Sequence, residues 1–195
     1  MDKILEGLAT DYVDLLLIHW PFALNPNGNH PLFPTKEDGK FDIDDEWDIS
    51  ETWKQMEAAQ RSGNALTCNS SKMDFAIEKP CLPTIGRAKN IGVSNFSEYM
   101  LHKILPKATI KPAVDQVELH LYNPSHNLVA FLKSEGIVPQ AYSPLGSTNA
   151  PLFQDELVQE IAKKHNVEPA QVLIGYLGTW FLSFGDTTAI GNPYG

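Results

Sequence analysis

DYVDLLLIHWP, residues Asp11 to Pro21, contains a leucine-rich apolar run, Val13 to Ile18, with no alternation of polar and apolar positions. Such a run is the pattern of a strand buried on both faces in a parallel sheet. It stops abruptly at His19-Trp20-Pro21. An apolar strand that delivers an imidazole and an indole at its C-terminal end, before a proline turns the chain away, is how α/β sheets and barrels build ligand mouths. Taken singly, a histidine after a strand is more often a hydrogen-bonded structural residue than a catalyst. Repetition of the pattern further along the chain is what points to chemistry.

The 195 residues are 43% hydrophobic, enough for one globular domain with a buried core. Fifteen basic against 24 acidic residues give a formal charge of −9. That balance argues against nucleic acid or an anionic membrane as partner, since both would repel the chain. No window reaches the length of an apolar membrane span and the N-terminus lacks a signal-peptide pattern, so a cytoplasmic location is expected. Cys68 and Cys81 are too few for a disulfide framework or a zinc site.

Around the first strand the chain reads in order. Met1 to Ala9 has Ile4, Leu5 and Leu8 on one side and predicts the last turns of a helix; opening without a cap, it predicts a missing upstream segment. Phe22 to Asp48 is polar, Pro- and Gly-rich and without periodicity, yet carries Phe33, Phe41 and Trp47, which favours a substrate-covering loop over a linker. Ile49 to Arg61 predicts a helix with Ser50 as cap. A strand from Ala88 enters a turn at Ser94-Asn95-Phe96, and a helix from Ser97 to Leu105 follows. Ala113 to Leu119 predicts a strand that carries Asp115, Gln116 and Glu118, too polar to be simply buried hydrocarbon. A helix from Ser125 to Ser134 ends toward Gly136, suited to a left-handed C-terminal position. Ile137 to Ala141 predicts a strand running into Tyr142-Ser143, and helices over Gln154 to His165 and Ala170 to Leu177 complete the series. Strand and helix thus alternate four times, with polar groups at each strand's C-terminal end, which is the layout of a (β/α) barrel mouth.

These residues resemble the aldo-keto reductases, most closely the fungal NADP-dependent members. The resemblance is carried by DYVDLLLIHWP, TWKQME (Thr52 to Glu57), IGVSNF (Ile91 to Phe96), DQVELHLYNP (Asp115 to Pro124), AYSPLGS (Ala141 to Ser147) and AQVLIGYL (Ala170 to Leu177). It implies an α/β fold, the central strands and helices of the family's (β/α)8 TIM barrel, and reduction of an aldehyde or sugar carbonyl with NADP as cofactor. On matching positions it implies that His19 orients the substrate carbonyl and Trp20 lines the substrate pocket. Ser94, Asn95 and Gln116 match residues that hydrogen-bond the nicotinamide carboxamide. Tyr142 matches the ring that stacks on the nicotinamide; Ser143, Leu145 and Ser147 match the loop that holds the pyrophosphate. Each residue alone retains a plainer reading: Gln116 could cap a strand and Tyr142 could be core.

The family's proton-donating tyrosine, with its lysine and aspartate, belongs to the first strands of the barrel, upstream of any motif matched here. The resemblance therefore implies a single incomplete domain, truncated at both ends and impaired in turnover, since loss of the acid costs on the order of 10² to 10⁴ in rate. Gly178 to Gly195 departs from the pattern where a last strand should supply cations for the adenosine 2′-phosphate. Joining Arg61-Ser62-Gly63 to Arg87-Ala88 restores a family-like helix, turn and strand, so Asn64 to Gly86 reads as a non-family insert, either an intron read through in frame or a lineage insertion. Three functions follow as expectations: a reductase of small carbonyl substrates; a non-catalytic half-barrel that associates with itself or a partner through open strand edges; or a gene-model fragment of a complete enzyme.

Overall fold

The computed structural model describes residues 2–30, 33–61, 87–147 and 151–182. The chain divides into two compact units, Met1–Ser94 with Tyr99–Ala113, and Asn95–Glu98 with Val114–Gly195.

The first unit begins with α1 (Asp2–Leu8) and β1 (Val13–Ile18). Of the three apolar positions expected on the inner side of α1, only Leu5 is buried; Ile4 and Leu8 are exposed. β1 lies parallel to β4 (Ala88–Ser94), in a register that pairs Leu16 with Ile91 and Ile18 with Val93. In β4, Ile91 to Ser94 are all buried. The burial on both faces expected of Val13 to Ile18 fails in part on β1, where Ile18 alone is buried and Leu15, Leu16 and Leu17 are half-buried. The physical reason is pairing: among the described residues β1 has a neighbouring strand on one side only.

The connection after His19 is more ordered than its composition suggests. β2 (Ala23–Leu24) pairs antiparallel with β3 (Ile43–Asp44), and Thr35 bridges Phe41. Asn25 ties the hairpin's base, its Nδ2 donating to Asp42 Oδ2 at 2.9 Å.

α2 (Ile49–Arg61) follows and packs on β4. Its cap is Asp48, whose Oδ1 accepts the Ser50 N–H at 2.9 Å; Ser50 itself is inside the helix and buried. Both residues have a capping oxygen, and their two-residue separation lies within the usual uncertainty of a helix boundary read from sequence. The Lys107 ammonium, which donates to Asp48 Oδ2 at 2.7 Å, together with the Ser50 hydrogen bonds, holds the Asp48 carboxyl well below the usual carboxylate range.

α2 is pinned to the segment after α3 (Glu98–Ile104) by two buried side chains. Trp53 Nε1 donates to the Ile110 carbonyl at 3.0 Å. Glu57 accepts the backbone N–H groups of Thr109 and Ile110 on Oε1 at 2.6 and 2.9 Å, and Arg61 on Oε2 at 2.9 Å. Burial works to raise the Glu57 carboxyl, but the hydrogen bonds from Ile110 and Thr109 outweigh it and keep the pKa below its ordinary value. The buried charge is therefore fully compensated.

The second unit holds β5 (Val114–Glu118) parallel to β6 (Val138–Tyr142), with Gln116 opposite Gln140 and Glu118 opposite Tyr142. α4 (His126–Ser134) joins them and ends at Gly136, where φ is +70° as the sequence predicts. Successive strand residues face opposite sides. Val117 and Leu119 accordingly pack with Val129 of α4 and Leu177 of α6 (Pro169–Leu182), while Gln116 and Glu118 fall on the other face. A 3₁₀ turn, Pro151–Gln154, leads to α5 (Glu156–His165), which Asp155 caps by accepting the Leu157 and Val158 N–H groups. Leu152, Val158 and Leu173 form a second apolar cluster.

Asn64 to Gly86, with both cysteines, and residues 183–195 lie outside the described residues.

Candidate active site

In the first unit the parallel register fixes which side chains share a strand end. Ile18 is paired with Val93, so His19 and Ser94 each stand one residue past the last matched pair. Ser94 is buried and His19 exposed. The His19 and Trp20 rings lie 5.8 Å apart, and Trp20 stacks on Phe22 at 5.8 Å with 26° between planes. Pro21 sits within this run, and with its φ fixed and no N–H to donate it cannot continue the strand ladder. The result is an aromatic shelf beside an exposed imidazole, with Trp20 46% exposed.

A cavity of about 550 Å³ opens in the same unit between the hairpin and α3, walled by Phe22, Trp47, Met100, Lys103 and Lys107. Neither His19 nor Trp20 lines it.

In the second unit the ends of β5 and β6 meet the turn at Asn95. The Asn95 N–H donates to the Gln116 carbonyl at 3.0 Å, and the Tyr142 hydroxyl donates to Asn95 Oδ1 at 3.0 Å. Asn95 has φ +61°, a left-handed conformation that asparagine tolerates better than most residues. Asn95, Gln116 and Tyr142 are therefore brought together, each half-buried. Burial, and then the Glu118 charge, push the Tyr142 phenol above its ordinary value. Glu118 Oε1 is in turn 3.4 Å from His120 Nε2, and His120 Nδ1 accepts the Tyr122 N–H.

The segment after β6 turns at once. Ser143 has φ +50° and Gly146 φ +81°, and the Gly146 N–H donates to the Ser143 carbonyl at 2.8 Å. Leu145 packs its side chain against the cluster of Leu152, Val158 and Leu173, and Ser147 is exposed. Leu145 is thus a core anchor for the loop, and any contact it makes to a phosphate would come from its backbone.

The Aldo/keto reductase family model matches residues 1–79 and 82–179. The chain belongs to the aldo/keto reductase family. It is 43% identical over 176 residues to a D-galacturonate reductase of Hypocrea jecorina, covering 90% of this chain and 50% of that protein. It is 40% identical over 183 residues to a glycerol 2-dehydrogenase (NADP(+)) of Saccharomyces cerevisiae, covering 90% and 51%. Among solved structures, an aldose reductase from Schistosoma japonicum superposes with a TM-score of 0.73 at 35% identity, over 91% of this chain and 49% of that one. The four parallel strands and their helices are therefore part of the family's (β/α)8 barrel. The chain spans about half the length of the relatives it matches.

Two carboxyl groups of β5, which the sequence marked as too polar for buried hydrocarbon but to which it gave no role, stand next to the candidate site residues. Glu118 stands opposite Tyr142 in the β5–β6 register and acts on its phenol. Asp115, fully buried beside Gln116, is the other. Its signal was parity: Asp115 shares the even spacing of Val117 and Leu119, which places it on the helix-facing side of the strand.

No helix among the described residues is long and apolar enough to cross a membrane.

Proposed function

We propose that this chain carries the cofactor-holding and carbonyl-orienting residues of an NADP-dependent reductase of aldehydes or sugar carbonyls. The observation that carries the reading is the hydrogen-bonded set of Tyr142, Asn95 and Gln116 at the C-terminal ends of β5 and β6. Two amide side chains beside a half-exposed phenol ring fit a planar heterocycle that bears a carboxamide. A nicotinamide bound there supplies hydride. Tyr142 offers a ring face to stack on, and its hydroxyl, committed to Asn95, restrains the phenol while orienting the amide. Asn95 and Gln116 take the carboxamide's donors and acceptors, with Ser94 in the same role. Ser143, Leu145 and Ser147 form the loop for the pyrophosphate, with the bend at Gly146 bringing backbone groups round. His19 directs a substrate carbonyl, and Trp20 lines its apolar approach. The names of the relatives, a D-galacturonate reductase and an NADP(+)-dependent dehydrogenase, agree with this substrate and cofactor class.

Titration with NADPH, read by quenching of indole fluorescence, tests the assignment. Saturable binding is expected, and Tyr142→Ala should weaken it about tenfold, the value of one aromatic stacking contact. Tyr142→Phe, which keeps the ring, should lose no more than about threefold. A chain that shows no binding at millimolar NADPH, or a Tyr142→Ala variant that binds like the parent, would sink the reading.

A second reading, self-association through strand edges, is favoured by β1. Its run of three leucines is half-buried and paired on one side only among the described residues. Such an edge is a template for a second copy of the chain. Size-exclusion chromatography with light scattering should then give about twice the 21.7 kDa of one chain; a monomer at micromolar concentration rejects it.

A further inference from the structure

The burial of alternate residues along β5, Asp115, Val117 and then Leu119, leaves Gln116 and Glu118 on the opposite side of the strand. Tyr142 joins them there. It is the partner of Glu118 in the parallel register, and Ala141 before it packs with Val117 and Leu119 on the helix side. Paired residues of neighbouring strands stand about 5 Å apart, so the carboxylate and the phenol rise from adjacent points of one face. His120 lies against that carboxylate without neutralising it. Its Nδ1 accepts the Tyr122 N–H at 3.2 Å and so carries no proton; the ring proton is on Nε2, 3.4 Å from Glu118 Oε1, and the imidazole is neutral. Among the described residues no lysine or arginine pairs with Glu118, whose side chain is 40% exposed.

We propose that Glu118 sets the oxidation-state preference of the cofactor site: from the face it shares with Gln116 and Tyr142, its carboxylate favours the positively charged, oxidised nicotinamide over the neutral, reduced one. Asn95 and Gln116 meet a carboxamide that both forms carry, so their hydrogen bonds do not discriminate. Glu118 responds to the one large difference, the charge of the ring. Partial exposure of the carboxylate screens the attraction and holds the preference to severalfold. The same carboxylate faces the place where positive charge develops as hydride leaves for a carbonyl carbon, which is the direction of reduction. This role rests on the reading of Asn95, Gln116 and Tyr142 as cofactor contacts, while the pairing of Glu118 with Tyr142 stands apart from it.

Parallel titrations of the parent, Glu118→Gln and Glu118→Asp with NADP+ and with NADPH, read by quenching of indole fluorescence, give the ratio of the two affinities. Glu118→Gln keeps the shape and removes the charge; it is expected to weaken NADP+ about fivefold and to leave NADPH within about twofold of the parent. Glu118→Asp keeps the charge and should hold the parent's ratio within about twofold. A folded glutamine variant with the parent's ratio overturns the proposal, as does an aspartate variant that shifts the ratio as far as glutamine does. If glutamine prevents folding, Glu118→Ser replaces it, with the same shift expected and the parent's ratio again overturning the role. The chain without cofactor gives a separate readout. The Tyr142 phenol, followed by its Cζ resonance, should titrate at lower pH in Glu118→Gln than in the parent, and an unmoved midpoint overturns the pairing on which the role depends. If the parent binds neither form at millimolar concentration, the cofactor reading falls and takes this role with it; a parent that binds both forms, with the ratio unmoved in the glutamine variant, sinks the role alone.

Discussion

The stability gap between Asp115→Asn and the parent is expected to widen in the variant's favour by roughly 3–5 kcal/mol between pH 4 and pH 8. Burial pushes the Asp115 carboxyl from 3.8 up to about 7, against the pull of the Phe96 N–H. In the unfolded chain the same carboxyl ionises near its ordinary value. Between those two pH values the folded state therefore binds more protons than the unfolded state. Stability then falls as pH rises, by about 1.4 kcal/mol for each pH unit across the interval. Below it both carboxyls are protonated, and above it both are ionised, so the penalty is absent at one end and constant at the other. The sense is opposite to that of Glu57, whose hydrogen-bonded carboxylate stabilises the fold above its unfolded pKa and stops doing so as pH falls through its lowered folded one. Asparagine cannot ionise, so subtracting its urea-derived stability from the parent's at each pH isolates Asp115 from every other titrating group. Parallel curves would mean that the native carboxyl ionises normally and has a partner in solution.

Asp115 also marks where the sequence was harder to read. The strand itself was legible, and its polar content showed that it was not simply buried hydrocarbon. The strand at Val13 to Ile18, the turn at Asn95 and the left-handed Gly136 were all legible because each follows from local chemistry: an unbroken apolar run, a tolerant side chain, a missing Cβ. What escaped depended on partners far away in sequence. β2 and β3 are two residues each, too short to carry a period, and exist because Ala23 meets Asp44 and Leu24 meets Ile43. The half-burial of Leu15 to Leu17 depends on how many strands flank β1, which no property of the run itself encodes. Nothing in the helix itself shows how Glu57 can be buried; Thr109 and Ile110 place two N–H groups on it. At the site the motifs located Asn95, Gln116 and Tyr142, but the bond from the Tyr142 hydroxyl to the Asn95 amide is a product of the fold.

Trp53→Ala is expected to lower stability by about 4–6 kcal/mol, enough to unfold most of a domain of ordinary stability. Trp53 is 1% exposed and lies on the helix that packs against β4. Truncation removes the largest buried side chain of the unit and leaves a cavity that a helix capped by Asp48 and tied through Glu57 to Thr109 and Ile110 cannot close, which accounts for about 3–5 kcal/mol. It also deprives the Ile110 carbonyl of its indole donor at 3.0 Å, worth about 1 kcal/mol more. Trp53→Phe separates the two contributions. It refills most of the space but supplies no N–H, so it should cost only about 1–2 kcal/mol. Urea unfolding followed by circular dichroism gives both values on one scale. Equal shifts for the two variants would assign the cost to the hydrogen bond and show that the cavity collapses. The consequence reaches the site through β4: the strand that α2 covers is the one that ends in Ser94, so a chain that loses Trp53 should lose the seat of that serine before any residue of the site has been touched.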